Sequence, residues 1–267
     1  MKKKSLFMFA AMCLLAMAIQ ITSCKKEDPD APVVSLTATE FTGKTGETAS
    51  TTASVVADGG LTTFRVTKFI GTTIDNTYGT NGTMEISGSS FTLQYELNEE
   101  GVLEPIRFNF TATDENGKTG SADFIITTEL SFRFLLLNYD WRWHSKRGRI
   151  FEEDVESEQI CPCEQDNIYS FNANGTMSID YGALTGSGGC TCDFDGFRVE
   201  ETWALNAAET ELTIFAVNVF DPSDVDAQVY RITGFNLMEI RSEQTVDLSV
   251  FGGIVWDWKF VWRAVAK

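Results

Sequence analysis

From Tyr139 to the C-terminus, apolar residues recur at every second position in short runs, and the connections between runs alternate between tight and long. The last run carries the pattern most strongly. Trp256, Trp258, Phe260 and Trp262 fall on one side of it, and Asp257, Lys259 and Arg263 on the other. A period of two sends successive side chains to opposite faces of a strand, so each run offers one face to a core and one to water. Eight such runs are legible, at about 139–150, 167–172, 176–181, 197–205, 211–217, 228–232, 235–241 and 255–265. The second, fourth and sixth connections are short: Ala173-Asn174-Gly175, then 206–210, then Thr233-Gly234. The first, third, fifth and seventh are long. In an up-and-down meander all odd connections lie at one end and all even ones at the other. Eight strands of this kind close into a barrel that holds packed side chains or one small ligand.

The preceding stretch, 31–129, also reads as strands, at 33–38, 49–57, 63–70, 83–87 and 91–97, separated by Gly, Asn, Asp and Thr. Its clearest unit is a closing hairpin. Ile106, Phe108 and Phe110 alternate with Arg107, Asn109 and Thr111, Asp114-Glu115-Asn116-Gly117 turns the chain, and Phe124-Ile125-Ile126 returns. A positive φ at the turn glycine suits such a hairpin. Strand number, length and turn spacing fit an immunoglobulin-like sandwich. The run from Phe108 to Asp114 resembles the last hairpin of Ig-like modules in bacterial surface proteins. A boundary falls near Leu130, after which 131–138 forms a short apolar strand or helix that caps the second unit. The expected architecture is all-β: an Ig-like sandwich (31–129) followed by an eight-stranded up-and-down barrel (130–267).

Ahead of both lies a different kind of sequence. Lys2, Lys3 and Lys4 precede an apolar run from Leu6 to Ile19, too short for a stable membrane span and laid out as a secretory signal. Ile21-Thr22-Ser23-Cys24 follows, and it resembles the lipobox of bacterial lipoproteins. That resemblance implies a signal peptide over 1–23, cleavage before Cys24, and acyl chains on that residue as a stable anchor. Residues 24–30 (Cys-Lys-Lys-Glu-Asp-Pro-Asp) then form a lipidated tether. No aspartate directly follows the cysteine, so inner-membrane retention is not indicated, and the lysines followed by acidic residues are similar to the export signal of surface lipoproteins in Bacteroidota. This implies an outer-membrane location facing the cell exterior. Cleavage removes three lysines and no acid, so eighteen basic against 38 acidic residues leave a formal net charge of −20. That charge argues against nucleic acid and against anionic lipid as partners.

Several stretches of the barrel half are similar to the lipocalin-like domain of Bacteroidota lipoproteins. They are Cys163 to Thr176, Glu201 to Asn206 with Leu212-Thr213-Ile214, and Tyr230-Arg231-Ile232 with Leu237. The opening strand departs from that pattern, with Tyr139-Asp140-Trp141 where a Gly-x-Trp is expected. The resemblance implies a β-barrel that binds rather than catalyses, with no common ligand.

Three groups of residues in this half could carry function. Cys161 and Cys163, and likewise Cys190 and Cys192, sit two apart at the long-loop end. In extended chain each pair points one way, so two nested bridges, Cys161 to Cys192 and Cys163 to Cys190, are the natural antiparallel arrangement in an oxidising compartment. A tetrathiolate zinc or iron site is the alternative, though structural zinc usually takes wider cysteine spacing. The lipocalin-like relatives usually carry one cysteine in each place, which implies one disulfide with a second added here.

The second group is aromatic. Trp141 and Trp143 in the first strand and Trp256, Trp258 and Trp262 in the last are neighbours in a closed barrel, extended by Tyr169, Phe171 and Trp203. A packed core is one reading. The other is a tryptophan-walled cavity for a small apolar or sugar-like ligand. The third group is acidic. Asp193, Asp195, Asp221, Asp224 and Asp226, with Glu152, Glu153 and Asp154, line the long loops. Such oxygens suit calcium, but solubilising charge is the reading taken here, so no cofactor or metal is expected. His144 is the single histidine, lies on the face away from the tryptophans, and has no recognisable nucleophile partner, so no enzyme is expected. The partners left are the outer membrane through the anchor, and an unidentified small molecule, glycan or envelope protein.

Overall fold

The computed structural model describes residues 29–149, 156–184, 198–247 and 255–267. Cys24 and the signal segment, Glu152, Glu153, Asp154, Cys190, Cys192, Asp193 and Asp195 lie outside the described residues, as does the side chain of Trp256.

The fold is all-β, an Ig-like sandwich followed by an up-and-down barrel whose sheet is nearly closed. The sandwich is built from β1 (Val33–Leu36), β2 (Glu40–Lys44), β3 (Thr48–Val56), β4 (Leu61–Ile70), β5 (Thr73–Ile74), β6 (Thr83–Glu85), β7 (Ser90–Glu96), a one-turn helix α1 (Glu100–Leu103), β8 (Ile106–Asp114) and β9 (Thr119–Glu129). One sheet has the order β1-β3-β7, and the other β2-β9-β8-β4-β5 with β6 also on β4. The alternation of β8 puts Ile106, Phe108, Phe110 and Ala112 wholly inside, where Phe124 and Ile126 of β9 meet them. The turn between these strands is held by Asp114, whose Oδ1 accepts from the N–H groups of Asn116 (2.9 Å) and Lys118 (2.7 Å), with Gly117 at φ 79°.

The sequence reading had no strand at β2. This strand has a single large apolar side chain, Phe41, and so no period, and it is recruited by parallel pairing to the distant β9. Nor did the pattern announce the buried Lys68 of β4. Its Nζ lies 2.8 Å from Asp75 and 3.0 Å from Glu100. Burial alone would push the ammonium pKa down, but the two carboxylates outweigh it and raise it, while the bonds from Lys68 and Thr77 hold Asp75 down to about 2.

Between the two units stands helix α2 (Phe132–Asn138), N-capped by Ser131, whose Oγ accepts from the Phe134 N–H. The barrel strands are β10 (Asp140–Gly148), β12 (Ile168–Phe171), β13 (Met177–Asp180), β14 (Arg198–Leu205), β15 (Glu211–Asn218), β16 (Val225–Phe235), β17 (Glu239–Asp247) and β18 (Val255–Val265). A two-residue β11 (Ser157–Glu158) adds to β10, and a short helix α3 (Pro162–Gln165) precedes β12. The sheet runs β13-β12-β10-β18-β17-β16-β15-β14. Its two ends then meet, through an antiparallel bridge of Thr176 with Thr202 and a bond from the Trp203 N–H to the Gly175 carbonyl at 2.9 Å. First and last strands are neighbours, as the closed meander requires.

One connection differs from expectation. Thr233-Gly234 does not turn the chain. A bulge between Ile232 and Gly234 lets β16 run on to Phe235, and the turn comes at Asn236, whose Oδ1 accepts from the Met238 and Glu239 N–H groups. The side-chain oxygen of Asn236 makes the reversal that the glycine suggested. The strand expected at 235–241 therefore spans Glu239–Asp247.

Candidate functional site

The two ends of the barrel are filled differently. The even turns share their end with the start of β10 and the end of β18, and α2 closes it. Phe132, Leu135 and Leu136 are buried in the barrel core, and the Phe132 ring packs 5.4 Å from Phe235. Trp141, wholly buried, donates from its indole N–H to the Leu135 carbonyl at 3.3 Å. Trp203 donates to the carbonyls of Asn172 (3.1 Å) and Thr176 (3.0 Å), and its ring meets Phe171 edge-on at 5.5 Å. Glu209, at φ 57° in the turn after β14, accepts from the Ser131 hydroxyl (3.1 Å) and the Phe132 N–H (2.9 Å), and lies 3.5 Å from Lys44 of the sandwich. Burying this end removes apolar surface from water while leaving few polar groups unpaired.

The opposite end holds a cavity of about 390 Å³, lined by Trp143, Lys146, Asp226, Gln228, Tyr230, Gln244, Trp258 and Phe260. These residues reach it from three neighbouring strands and β10. Inward positions of β17 and β18 stand opposite one another as Gln244 with Trp258, Ser242 with Phe260, and Ile240 with Trp262. A bulge between Trp143 and Ser145 then changes the phase of β10, so Lys146 rather than Ser145 falls opposite the inward Phe260. Glu158 of β11 holds that bulge. Its carboxylate accepts from the Ser145 hydroxyl (2.6 Å) and the Lys146 N–H (2.8 Å). Burial would raise the Glu158 pKa, but these bonds prevail and keep it below the ordinary glutamate range.

Lys146 is thereby a wall residue. Its ammonium is bonded to Glu164 of α3 at 2.7 Å and sits 5.6 Å from the Trp143 ring and 5.1 Å from the Trp258 ring. Trp143 is fixed from behind by Tyr169, stacked at 5.4 Å, and by the Trp262 edge at 5.6 Å. Its indole nitrogen is buried without a hydrogen-bond partner. Trp258 lies across Gly148, where an added Cβ would come within 2.6 Å of the indole.

The aromatic residues singled out from the sequence therefore divide. Trp143 and Trp258 line the cavity. Trp262, Tyr169 and Trp141 pack beneath it, and Phe171 and Trp203 belong to the closed end. The acidic residues divide as well. Asp221 binds the Ser223 hydroxyl at 2.6 Å, which lowers its pKa, and Asp224 accepts from Asn218 at 3.1 Å, so both fasten the fifth connection. Asp226 reaches the cavity wall. Cys161 precedes α3 and Cys163 is buried within it. Among the described residues no group of three or more His, Cys, Asp and Glu could hold a metal ion, and no helix is long and apolar enough to cross a membrane.

Sequence reasoning missed Lys146, Gln228 and Gln244. The polar pair had a signal: Gln228 shares the phase of Tyr230. For Lys146 the signal was Gly148, since a glycine inside a strand often marks a bulge or a close approach.

No family model and no curated protein matches the chain. Among solved structures it is similar to a DUF4466 family protein from Parabacteroides merdae, with 10% identity over 88% of this chain and 99% of that one, at a TM-score of 0.31. It is also similar to the I-band fragment I67-I69 from titin, with 10% identity over 89% of each chain, at a TM-score of 0.31.

Proposed function

We propose that this chain is a lipoprotein of the outer membrane, anchored through acylated Cys24 and facing the cell exterior, whose barrel is a non-catalytic binding module for a small apolar or sugar-like ligand. The mouth cavity carries this reading. Aromatic walls with a few convergent polar groups, set on a rigid scaffold above a packed interior, are the usual make-up of a small-molecule site. The Ig-like unit serves as a spacer that holds the mouth away from the membrane. Bridges from Cys161 and Cys163 to Cys190 and Cys192 would brace the loops around it.

The binding test is intrinsic fluorescence of the soluble mature chain during titration with lipids, bile-type amphiphiles, oligosaccharides and calcium. Saturable quenching that is lost in a folded Trp258→Ala variant is the expected result. A flat response to every class overturns it. The anchor is tested by labelling cells with a palmitate analogue, where Cys24→Ala abolishes the tag. Protease shaving of intact cells tests the outward orientation. Intact mass without reductant tests the bridges, which predict four fewer hydrogens than the reduced form, whereas bound zinc favours the tetrathiolate alternative.

A second reading is an envelope protein that docks on another protein. It draws on Phe220 and Val219, which are 76% and 51% exposed on the loop after β15. Failure of every small molecule together with a stably co-purifying partner would favour it.

A further inference from the structure

We infer that the outer face of β10 and β18 binds a linear acidic polysaccharide whose charges are widely spaced. This surface is separate from the mouth, on the side of the barrel wall that faces away from the core.

The chain as a whole is strongly acidic, with a formal charge of −17. Yet from Trp141 to Arg149 it carries Arg142, His144, Lys146, Arg147 and Arg149 and no acid. The bulge in β10 turns Lys146 inward, while Arg142 and Arg147 are exposed on the outer face. β18 then sets a second cation beside each of them. Arg142 stands directly opposite Arg263, and Arg147 directly opposite Lys259. Like charges directly opposite one another destabilise a sheet. Two such pairs in succession break a local rule twice, as sites of recognition do.

The neighbouring carboxylates do not cancel these rows. Lys259 lies 2.6 Å from Glu156, and Arg263 lies 3.8 Å from Glu239, which already holds Arg241 at 2.8 Å. Glu158 is bonded to the bulge, and Glu243 pairs with Arg231. Arg142 and Arg147 have no ion pair among the described residues. Each row therefore keeps one guanidinium for an anion, and its planar fork fits a carboxylate.

Spacing selects the polymer. The rows stand four residues apart on β18, about 13 Å at the rise of a strand. Duplex DNA carries a negative charge every 1.7 Å or so, roughly, and would set many of them against Glu239, Glu243 and Asp257 on the same face. The headgroups of an anionic bilayer are dense in the same way. A glycan with one carboxylate per disaccharide passes those acids with hydroxyls, which can donate to them. A protein partner would need an apolar centre, and no described side chain of β10, β17 or β18 is a large, exposed apolar one.

The test is titration of the soluble mature chain with hyaluronate, which has one carboxylate per disaccharide. Dextran, duplex DNA and phosphatidylglycerol vesicles run in parallel. Hyaluronate is expected to bind saturably at low ionic strength and to weaken as salt is raised, and dextran not to bind. Arg142→Gln combined with Arg147→Gln should weaken binding by about tenfold. The same double variant should melt at a higher temperature, because it relieves both like-charge pairs, whereas arginines with a merely structural role would make it melt lower. Arg65→Gln, which removes an exposed charge from the sandwich, and Trp258→Ala at the mouth should leave hyaluronate binding unchanged. Absence of hyaluronate binding, or full binding by the double variant, overturns the inference and leaves the mouth reading untouched. Tighter binding of DNA or of the vesicles would also overturn it, since the face would then prefer dense charge.

Discussion

The closed end of the barrel and its mouth are made from the same materials, tryptophans and carboxylates on alternating strands, yet they are arranged to opposite ends. At the closed end the indole N–H groups of Trp141 and Trp203 are bonded to main-chain carbonyls, and Glu209 is consumed by Ser131 and Phe132. At the mouth the Trp143 N–H has no partner, Trp258 is only half-buried, and Asp226 is exposed. A polar group satisfied inside the protein contributes to stability, whereas a buried one left unpaired costs it. The comparison teaches that residue type did not decide which tryptophans are structural. Their position along the barrel axis did.

The largest expected effect follows from that division. Trp141→Ala empties a fully buried site and should cost about 3–5 kcal/mol of unfolding free energy. Trp258→Ala, at a half-buried site, should cost no more than about 2 kcal/mol. Urea denaturation of the two variants measures the difference directly. Equal losses would mean that the mouth is as much a part of the core as the closed end, and the contrast would collapse.

Next in size is the clamp at Glu209. Glu209→Ala leaves the Phe132 N–H and the Ser131 hydroxyl without their acceptor and removes the ion pair to Lys44. A loss of about 1–3 kcal/mol is expected, mostly from the stranded donors. The same variant should increase cleavage by a dilute protease around 130–138, because α2 is held to the barrel turn by that carboxylate. Unchanged stability and unchanged cleavage would show that apolar burial of Phe132, Leu135 and Leu136 closes this end unaided.

How much of this was legible in the sequence depends on the range over which each signal acts. The strand-forming runs could be read because a period of two is local, and the meander because its connections alternate in length. The hairpin at Asp114 could be read because one side chain organises four residues. β2 could not, since it exists only by pairing with a strand far along the chain. Nor could the inward turn of Lys146. Strict alternation from Trp141 and Trp143 predicts Ser145 inside, and the bulge that overturns it is stabilised by Glu158 from a two-residue strand with no pattern of its own. The aromatic candidates were read as one surface because alternation gives the face of a residue but not its depth.

A smaller effect tests the mouth end of the comparison. Glu158 has a depressed pKa in the folded chain, so its stabilising contribution is fully present above the ordinary glutamate range and is lost as pH falls through its lowered folded value. Acidification should release the bulge at Ser145 and withdraw Lys146 from its place by Trp143 and Trp258, seen as a change in tryptophan emission before global unfolding. Glu158→Gln should reduce the pH-dependent change, with only a small loss of stability at neutral pH because the carboxylate is exposed to solvent. A Gln variant whose acid response matches the parent's would assign the transition to some other carboxylate.

The smallest effects separate the two ends most cleanly. Asn174 organises the turn between β12 and β13, accepting from the Thr176 N–H at 3.1 Å and its hydroxyl at 2.8 Å. Asn174→Ala should cost about 0.5–1 kcal/mol and leave ligand affinity of the folded protein untouched, because the turn stands at the plugged end. At the mouth the three aspartates should not behave alike. Asp221→Asn and Asp224→Asn weaken bonds within the fifth connection and should shift affinity little, whereas Asp226→Asn changes a group on the cavity wall. Two disulfides, if present, would lower the ordering cost of the loops around that wall, so reduction should weaken binding while leaving the Asn174 result unchanged. An Asn174 variant that folds but loses the ligand, beside an Asp226 variant that keeps it, would place the working end of the barrel at α2 instead.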